Sequence, residues 1–128
     1  MHKYIMTKTF TFYDEDIFNV IESAVYSIGY WTCIDNDTPV WHKAHQELSG
    51  EAFTFEDVFF HILQSGKVIH LIDVEDEEEV WELTFEKLLH GIQLAIDNGD
   101  WDGDADVIDG DIGDVIFQYA LFDEVVFG

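Results

Sequence analysis

The sequence predicts an α+β fold: a single acidic domain over residues 1–128, built as a small, mostly antiparallel sheet with about four helices packed on it. Three observations predict it. Apolar residues recur at i, i+3, i+4 and i+7 in separate windows, shorter runs alternate with period two, and turn residues divide the two kinds. A length of 128 residues with 48% hydrophobic and 16% aromatic side chains suits one core and lies far from the composition of disordered acidic chains.

Tyr4 to Phe12 alternates, with Tyr4, Met6, Lys8, Phe10 and Phe12 on one side and Ile5, Thr7, Thr9 and Thr11 on the other, and is expected to form a strand. Asp14 is placed to cap a first helix carrying Ile17, Val20, Ile21, Ala24, Val25 and Ile28, which Gly29 ends. Tyr30 to Glu51 reads mainly as loop, with a short helix around Val40 to Leu48. Thr54 opens the second clear helix, with Asp57 at the capping-box position, Phe55, Val58, Phe59, Ile62 and Leu63 on one face and Gly66 as its stop. Lys67 to Asp73 and Glu79 to Leu83 form an expected β-hairpin whose tip is the run DVEDEEE. Thr84 starts a third helix with Leu88, Leu89, Ile92, Ala95 and Ile96, ending at Asn98-Gly99. Asp111 with Asp114 opens a fourth, carrying Ile112, Val115, Ile116 and Tyr119, before a last strand at Glu124 to Phe127.

Charge is the main functional signal, with 28 Asp or Glu against five Lys, no Arg, and a formal net charge of −23. It is concentrated in two places. Asp73 to Glu79 is almost wholly acidic, and Asp97 to Asp114 holds eight Asp without a basic residue, whereas Ala24 to Ile34 carries no carboxylate at all. A field of this sign repels nucleic acid and acidic membranes, and attracts cations or the basic, phosphate-binding surface of another protein. Neither direct nucleic-acid binding nor membrane association is therefore expected. The lone Cys33 excludes an internal disulfide, and MHKYIMTKTF offers no apolar stretch for a signal peptide or a span, so a cytoplasmic location is the expectation.

The segment NGDWDGDADVID imitates a calcium loop, with Asn98, Asp100, Asp102, Asp104 and Asp109 as its candidate metal ligands and Gly103 at the turn position. It departs from that pattern at Asn98 in first place, at Ala105, and at Asp109 where the longer Glu belongs, and no second loop exists to pair with it. No cofactor is expected; calcium is the alternative. His42 and His45 sit three apart, but His61 and His90 fall inside apolar helices and His70 in a strand, so no zinc site is expected. Catalysis has no support either: there is no nucleophile elbow, no Gly-rich phosphate loop, and no Arg to hold an anionic transition state. A non-enzyme is expected.

Charge geometry remains. On a strand, alternate residues lie about 6.5–7 Å apart on one face, comparable with phosphates along a nucleic-acid strand, and Asp100, Asp102, Asp104 and Asp106 keep that period. The expected contact surface is Glu75, Asp76, Glu77, Glu78 and Glu79 together with those four Asp, and Trp101 is its expected exposed aromatic anchor.

The step Gly29-Tyr30-Trp31 and the terminal QYALFDEVVFG, Gln118 to Gly128, resemble a family of short acidic proteins of phages and prophages in Gram-positive bacteria. The resemblance implies a phage-encoded protein in the bacterial host cytoplasm, similar in size and charge to anti-CRISPR proteins. Together with the charge geometry, this gives the expectation of a non-enzymatic inhibitor, a nucleic-acid mimic that occupies the basic surface of a host defence protein such as a CRISPR effector. A cation-binding module on the loop 98–109, or a phage accessory protein whose acidic surface is merely solvated, are the alternatives.

Overall fold

Side chains that the sequence supplies at helix starts account for where the helices begin. In the computed structural model, which describes residues 1–6 and 8–128, the Asp16 carboxylate accepts the Tyr13 N–H at 2.8 Å ahead of α1 (Asp14–Val25). Thr38 accepts the Trp41 N–H, with Pro39 in the first turn, to open α2 (Pro39–Glu47). Thr54 and Asp57 cap one another reciprocally at α3 (Phe55–Gln64). Thr84 accepts the Lys87 N–H at α4 (Phe85–Asp97), and Asp109 accepts the Ile112 N–H at α5 (Gly110–Phe122). Asp14 is thus the first residue of α1 rather than its cap, and the last helix opens at Asp109, two residues before Asp111.

The α+β class holds, with five helices among the described residues because α2 is a full element. Its sheet has the order β1-β2-β3, with β1 at Thr32–Ile34, β2 at Ile69–Asp73 and β3 at Val80–Leu83, both pairings antiparallel. Cys33 faces Ile72 and Leu71 faces Trp81, so the acidic run forms the tip of the β2–β3 hairpin as expected. A short 3-10 turn, Ile28–Tyr30, leads from α1 into β1.

The core lies where α1, α3, α4 and α5 meet the sheet, and Val20, Ile21, Ala24, Phe59, Leu71, Leu88, Ile116 and Phe117 have no solvent exposure. Two glycines set how closely α5 approaches its neighbours. A Cβ on Gly91 of α4 would collide with the Ile116 carbonyl and stand 2.8 Å from the Ala120 nitrogen. One on Gly113 of α5 would stand 2.8 Å from the Ala24 nitrogen of α1.

Two expected strands do not form. Along Tyr4 to Phe12, where Thr7 lies outside the described residues, the described residues make no ladder, and Tyr4, Ile5 and Met6 are 81%, 78% and 90% exposed. Alternation alone gives a strand no partner; instead Phe10 packs on Gly103 and Phe12 on Trp101, with ring centroids 5.7 Å apart. At Glu124 to Phe127 the ladder is replaced by one side chain. Gln118 Oε1 accepts the N–H groups of both Val126 and Phe127 at 2.8 Å, fixing the segment without a strand.

Candidate partner-binding surface

At the hairpin tip Glu75, Asp76, Glu77, Glu78 and Glu79 are all exposed. Two Asx turns shape the tip: Asp73 Oδ1 accepts the Glu75 N–H at 2.8 Å, and Asp76 Oδ1 accepts the Glu78 N–H at 3.1 Å. Asp76 therefore has a structural use. The carboxylates of Glu75, Glu77, Glu78 and Glu79 make no hydrogen bond or ion pair among the described residues, and project from the antiparallel pair β2–β3.

The second patch, between α4 and α5, is built differently. Residues 98–109 form no strand, so the even spacing of Asp100, Asp102, Asp104 and Asp106 along one face is not realised. The loop coils on its own carboxylates instead. Asp102 accepts the Asp104 N–H at 2.9 Å and Asp104 accepts the Asp106 N–H at 3.0 Å, while Gly103 supplies the left-handed backbone between them at φ 88°. Asp100 accepts the Tyr119 hydroxyl at 2.6 Å, and Asn19 donates to the Ala105 carbonyl at 3.4 Å.

Trp101 corrects the expectation of an exposed anchor. It is 5% exposed, packed with Ala105 into the core cluster, and its backbone N–H reaches the Ala95 carbonyl at 3.3 Å. A large apolar ring beside a helix end gains more from burial than from display. Its indole N–H is buried without a partner. Trp101 holds the acidic loop to the domain and is not available to a partner.

The proposed metal ligands do not converge. Asp109 is occupied as the α5 cap, Asp100 by Tyr119, and Asp102 and Asp104 by backbone N–H groups; Asn98 is the C-cap of α4. Among the described residues no group of three or more His, Cys, Asp or Glu side chains is placed to hold a metal ion. His42 is paired with Asp37 at 2.8 Å, and no helix among the described residues is long and apolar enough to cross a membrane.

Sequence spacing did not reveal a third constellation, which joins the Gly29-Tyr30-Trp31 step to the segment Gln118 to Gly128. Tyr30, in the 3-10 turn, donates its hydroxyl to Asp114 Oδ2 at 2.5 Å, and the Trp31 indole N–H donates to Asp114 Oδ1 at 2.8 Å. Gln118 adds a third donor to the same carboxylate at 3.0 Å and also donates to the Phe127 carbonyl at 3.1 Å. Desolvation of the phenol, then its bond to Asp114, push Tyr30 up to about 12. Behind this network Trp31 stacks on Phe127 at 5.1 Å, and Trp81 meets Phe122 edge-on at 5.1 Å. The bonds of Tyr30 and Trp31 to Asp114 connect residues 84 and 83 positions apart, beyond the reach of any local motif.

Compared with protein-family models, with curated proteins and with solved structures, the chain finds no match, so its functional reading rests on the charge placement and site geometry of its own residues.

Proposed function

We propose that this chain is a non-enzymatic inhibitor, phage-encoded, that presents its acidic hairpin tip and the exposed Asp residues of the α4–α5 loop to the basic nucleic-acid-binding surface of a host defence protein, a CRISPR effector being the first candidate. The observation that carries the reading is the tip itself. Glu75, Glu77, Glu78 and Glu79, free of hydrogen-bond and ion-pair partners among the described residues, are held on a short antiparallel hairpin in a chain of net charge −23. Clustered like charges are costly: two unit charges about 7 Å apart in water repel by roughly 0.6 kcal/mol before screening. Solubility needs far less charge, and a basic groove that normally holds phosphates would relieve that repulsion. Asp102, Asp104 and Asp106 are exposed beside the loop backbone and supply the secondary contact surface.

The test is displacement. A fluorescent DNA duplex bound to a basic effector complex is titrated with this protein, and its release is followed by anisotropy at rising salt. Release that weakens with salt, and that is lost in the combined variant Glu75→Gln, Glu77→Gln, Glu78→Gln, Glu79→Gln, is the expected result. Release that ignores both salt and these four substitutions would overturn the reading.

A further inference from the structure

Where the Tyr30 turn, the first turns of α5 and the C-terminal segment meet, the surface dips into an open cleft of about 530 Å³ lined by Tyr30, Asp111, Asp114, Val115, Val125 and Phe127. Its chemistry is mixed in a specific way. The wall is apolar, with Val115, Val125 and Phe127, and the rim carries the partly exposed Tyr30 ring and two carboxylates from successive turns of α5.

We propose that this cleft receives a guanidinium side chain, an arginine of the basic partner; the inference rests on the reading of a basic partner given above and names where one of its cations seats. Asp114 is half-buried, yet everything that touches it is neutral: the Tyr30 hydroxyl, the Trp31 indole and the Gln118 amide. Among the described residues no Lys or His pairs with Asp114 or Asp111. A charge withdrawn from water is ordinarily paired, and here three neutral donors satisfy the carboxylate while no cation stands beside it among the described residues. Three of the roughly four lone-pair positions of the Asp114 carboxylate are used. Asp111 uses none among the described residues, so the pair can accept a planar, multi-donor cation.

The remaining walls select among cations. Tyr30 offers a ring face at the rim, and planar guanidinium stacks on aromatic faces while its weak hydration makes partial burial against Val115 and Val125 cheap. An ammonium, strongly hydrated and lacking a flat face, gains less. The protein's overall negative field raises the local concentration of either. Geometry keeps the site ready, because Gln118 ties Val126 and Phe127 to α5 and holds the far wall in place.

The experiment uses the intact, ¹⁵N-labelled chain and the Trp31 indole N–H as reporter, since that group donates directly to Asp114 at 2.8 Å. N-acetyl-arginine amide is titrated in, with N-acetyl-citrulline amide as the neutral analogue of the same shape and butylammonium as the cation without a plane. The expected result is a saturable shift of the Trp31 indole signal with the arginine probe, a weaker response to butylammonium, and none to citrulline. Asp111→Asn, which disturbs no hydrogen bond among the described residues, should weaken binding about fivefold, the effect of removing one unit charge about 4 Å away in water. Tyr30→Leu should remove the preference for guanidinium over ammonium. A Trp31 signal that stays still, moves equally with citrulline, or moves no more than the backbone signals of Glu77 and Glu78 at the hairpin tip would overturn the proposal. Loss of the cleft signal with DNA displacement intact leaves the tip as the working surface, whereas a working cleft without displacement refutes the mimic and not the site.

Discussion

At the hairpin tip the carboxylates of Glu75, Glu77, Glu78 and Glu79 bond to nothing among the described residues, whereas across residues 100–109 Asp100, Asp102, Asp104 and Asp109 each hold a donor. The two patches look alike as sequence, each a dense acidic run bounded by regular elements. In the fold they differ in what the charge is for. Those four glutamates, unlike the turn-forming Asp73 and Asp76, are surplus to the structure and can be given to a partner without loss. Asp102 and Asp104 form the loop's turns, Asp109 caps α5 and Asp100 holds Tyr119, so a partner that took hold of these four would compete with the protein's own hydrogen bonds, whereas the Asp106 carboxylate accepts none among the described residues. The first patch is a free surface, and the second is a structural element that happens to be charged.

Trp101→Ala should give the largest effect. Deleting a buried aromatic side chain costs about 3–5 kcal/mol, and here it would release the ring that packs on Phe12 and pins the loop. Urea unfolding measures it. Trp101→Phe should cost much less, since it keeps an aromatic ring and removes an indole N–H that is buried without a partner. If Trp101→Ala leaves stability unchanged, the loop is independent of the core and the contrast with the tip fails.

Single carboxylate removals follow. Asp109→Ala removes the α5 cap and should cost about 1 kcal/mol. Asp100→Ala leaves the mostly buried Tyr119 hydroxyl without its acceptor and should cost about 1.5–3 kcal/mol, the range for a bond to a charged group. Glu77→Gln and Glu78→Gln at the tip should each stay within about 0.5 kcal/mol. Thermal melts of the four variants side by side would break the comparison if the tip substitutions proved the more damaging.

How far these differences were legible varies with the range of the contact that decides them. The helices α3 and α4 could be read because their caps, Thr54 with Asp57 and Thr84, lie within three residues of what they bond, and their apolar stripes need only one face of core. The hairpin was legible for a related reason: a run of acids cannot be buried, so the apolar runs on either side must turn back on each other. The strand at Thr32–Ile34, at three residues, is too short to show a period, and the Thr38-Pro39 helix start was hidden in a segment rich in polar residues. Tyr4 to Phe12 has a strand's alternation but no neighbouring strand, and pairing is decided by the rest of the fold. Trp101 was misread for the same cause, since its burial depends on Phe12, nearly 90 positions away. Both acidic patches were found by composition; the Asp111–Asp114 cleft was not, because Tyr30 and Phe127 come to it from opposite ends of the chain.

Alkaline titration separates a third acidic location from the other two. Tyr30 and Tyr119 donate to Asp114 and Asp100 respectively, and both phenols are raised above their ordinary value of 10.0, Tyr30 to about 12. A raised phenol favours the neutral form in the folded state. Its stabilisation is therefore complete below pH about 10 and is lost as pH rises toward about 12. The melting temperature should fall across that window, and Tyr30→Phe should flatten part of the fall while lowering stability at neutral pH. No tyrosine contacts the tip glutamates among the described residues, so the tip Gln variants should leave the alkaline limb unchanged.

Salt should have the smallest effect, and it distinguishes charge from structure most directly. Raising ionic strength from 0.01 to 0.15 M shortens the screening length from about 30 Å to about 8 Å, which weakens repulsion among exposed carboxylates and should raise the melting temperature by a few degrees. The triple variants Glu77→Gln, Glu78→Gln, Glu79→Gln and Asp102→Asn, Asp104→Asn, Asp106→Asn each remove three charges, so both should reduce the salt dependence. They should part at high salt. There the tip variant should melt with the parent protein, because screening has already removed what the substitutions removed. The loop variant should stay below the parent, because Asn still closes an Asx turn but replaces a charge-assisted bond with a neutral one about half as strong. Coincident curves at high salt would mean that the loop carboxylates are as dispensable as those of the tip, and that both patches are free surface.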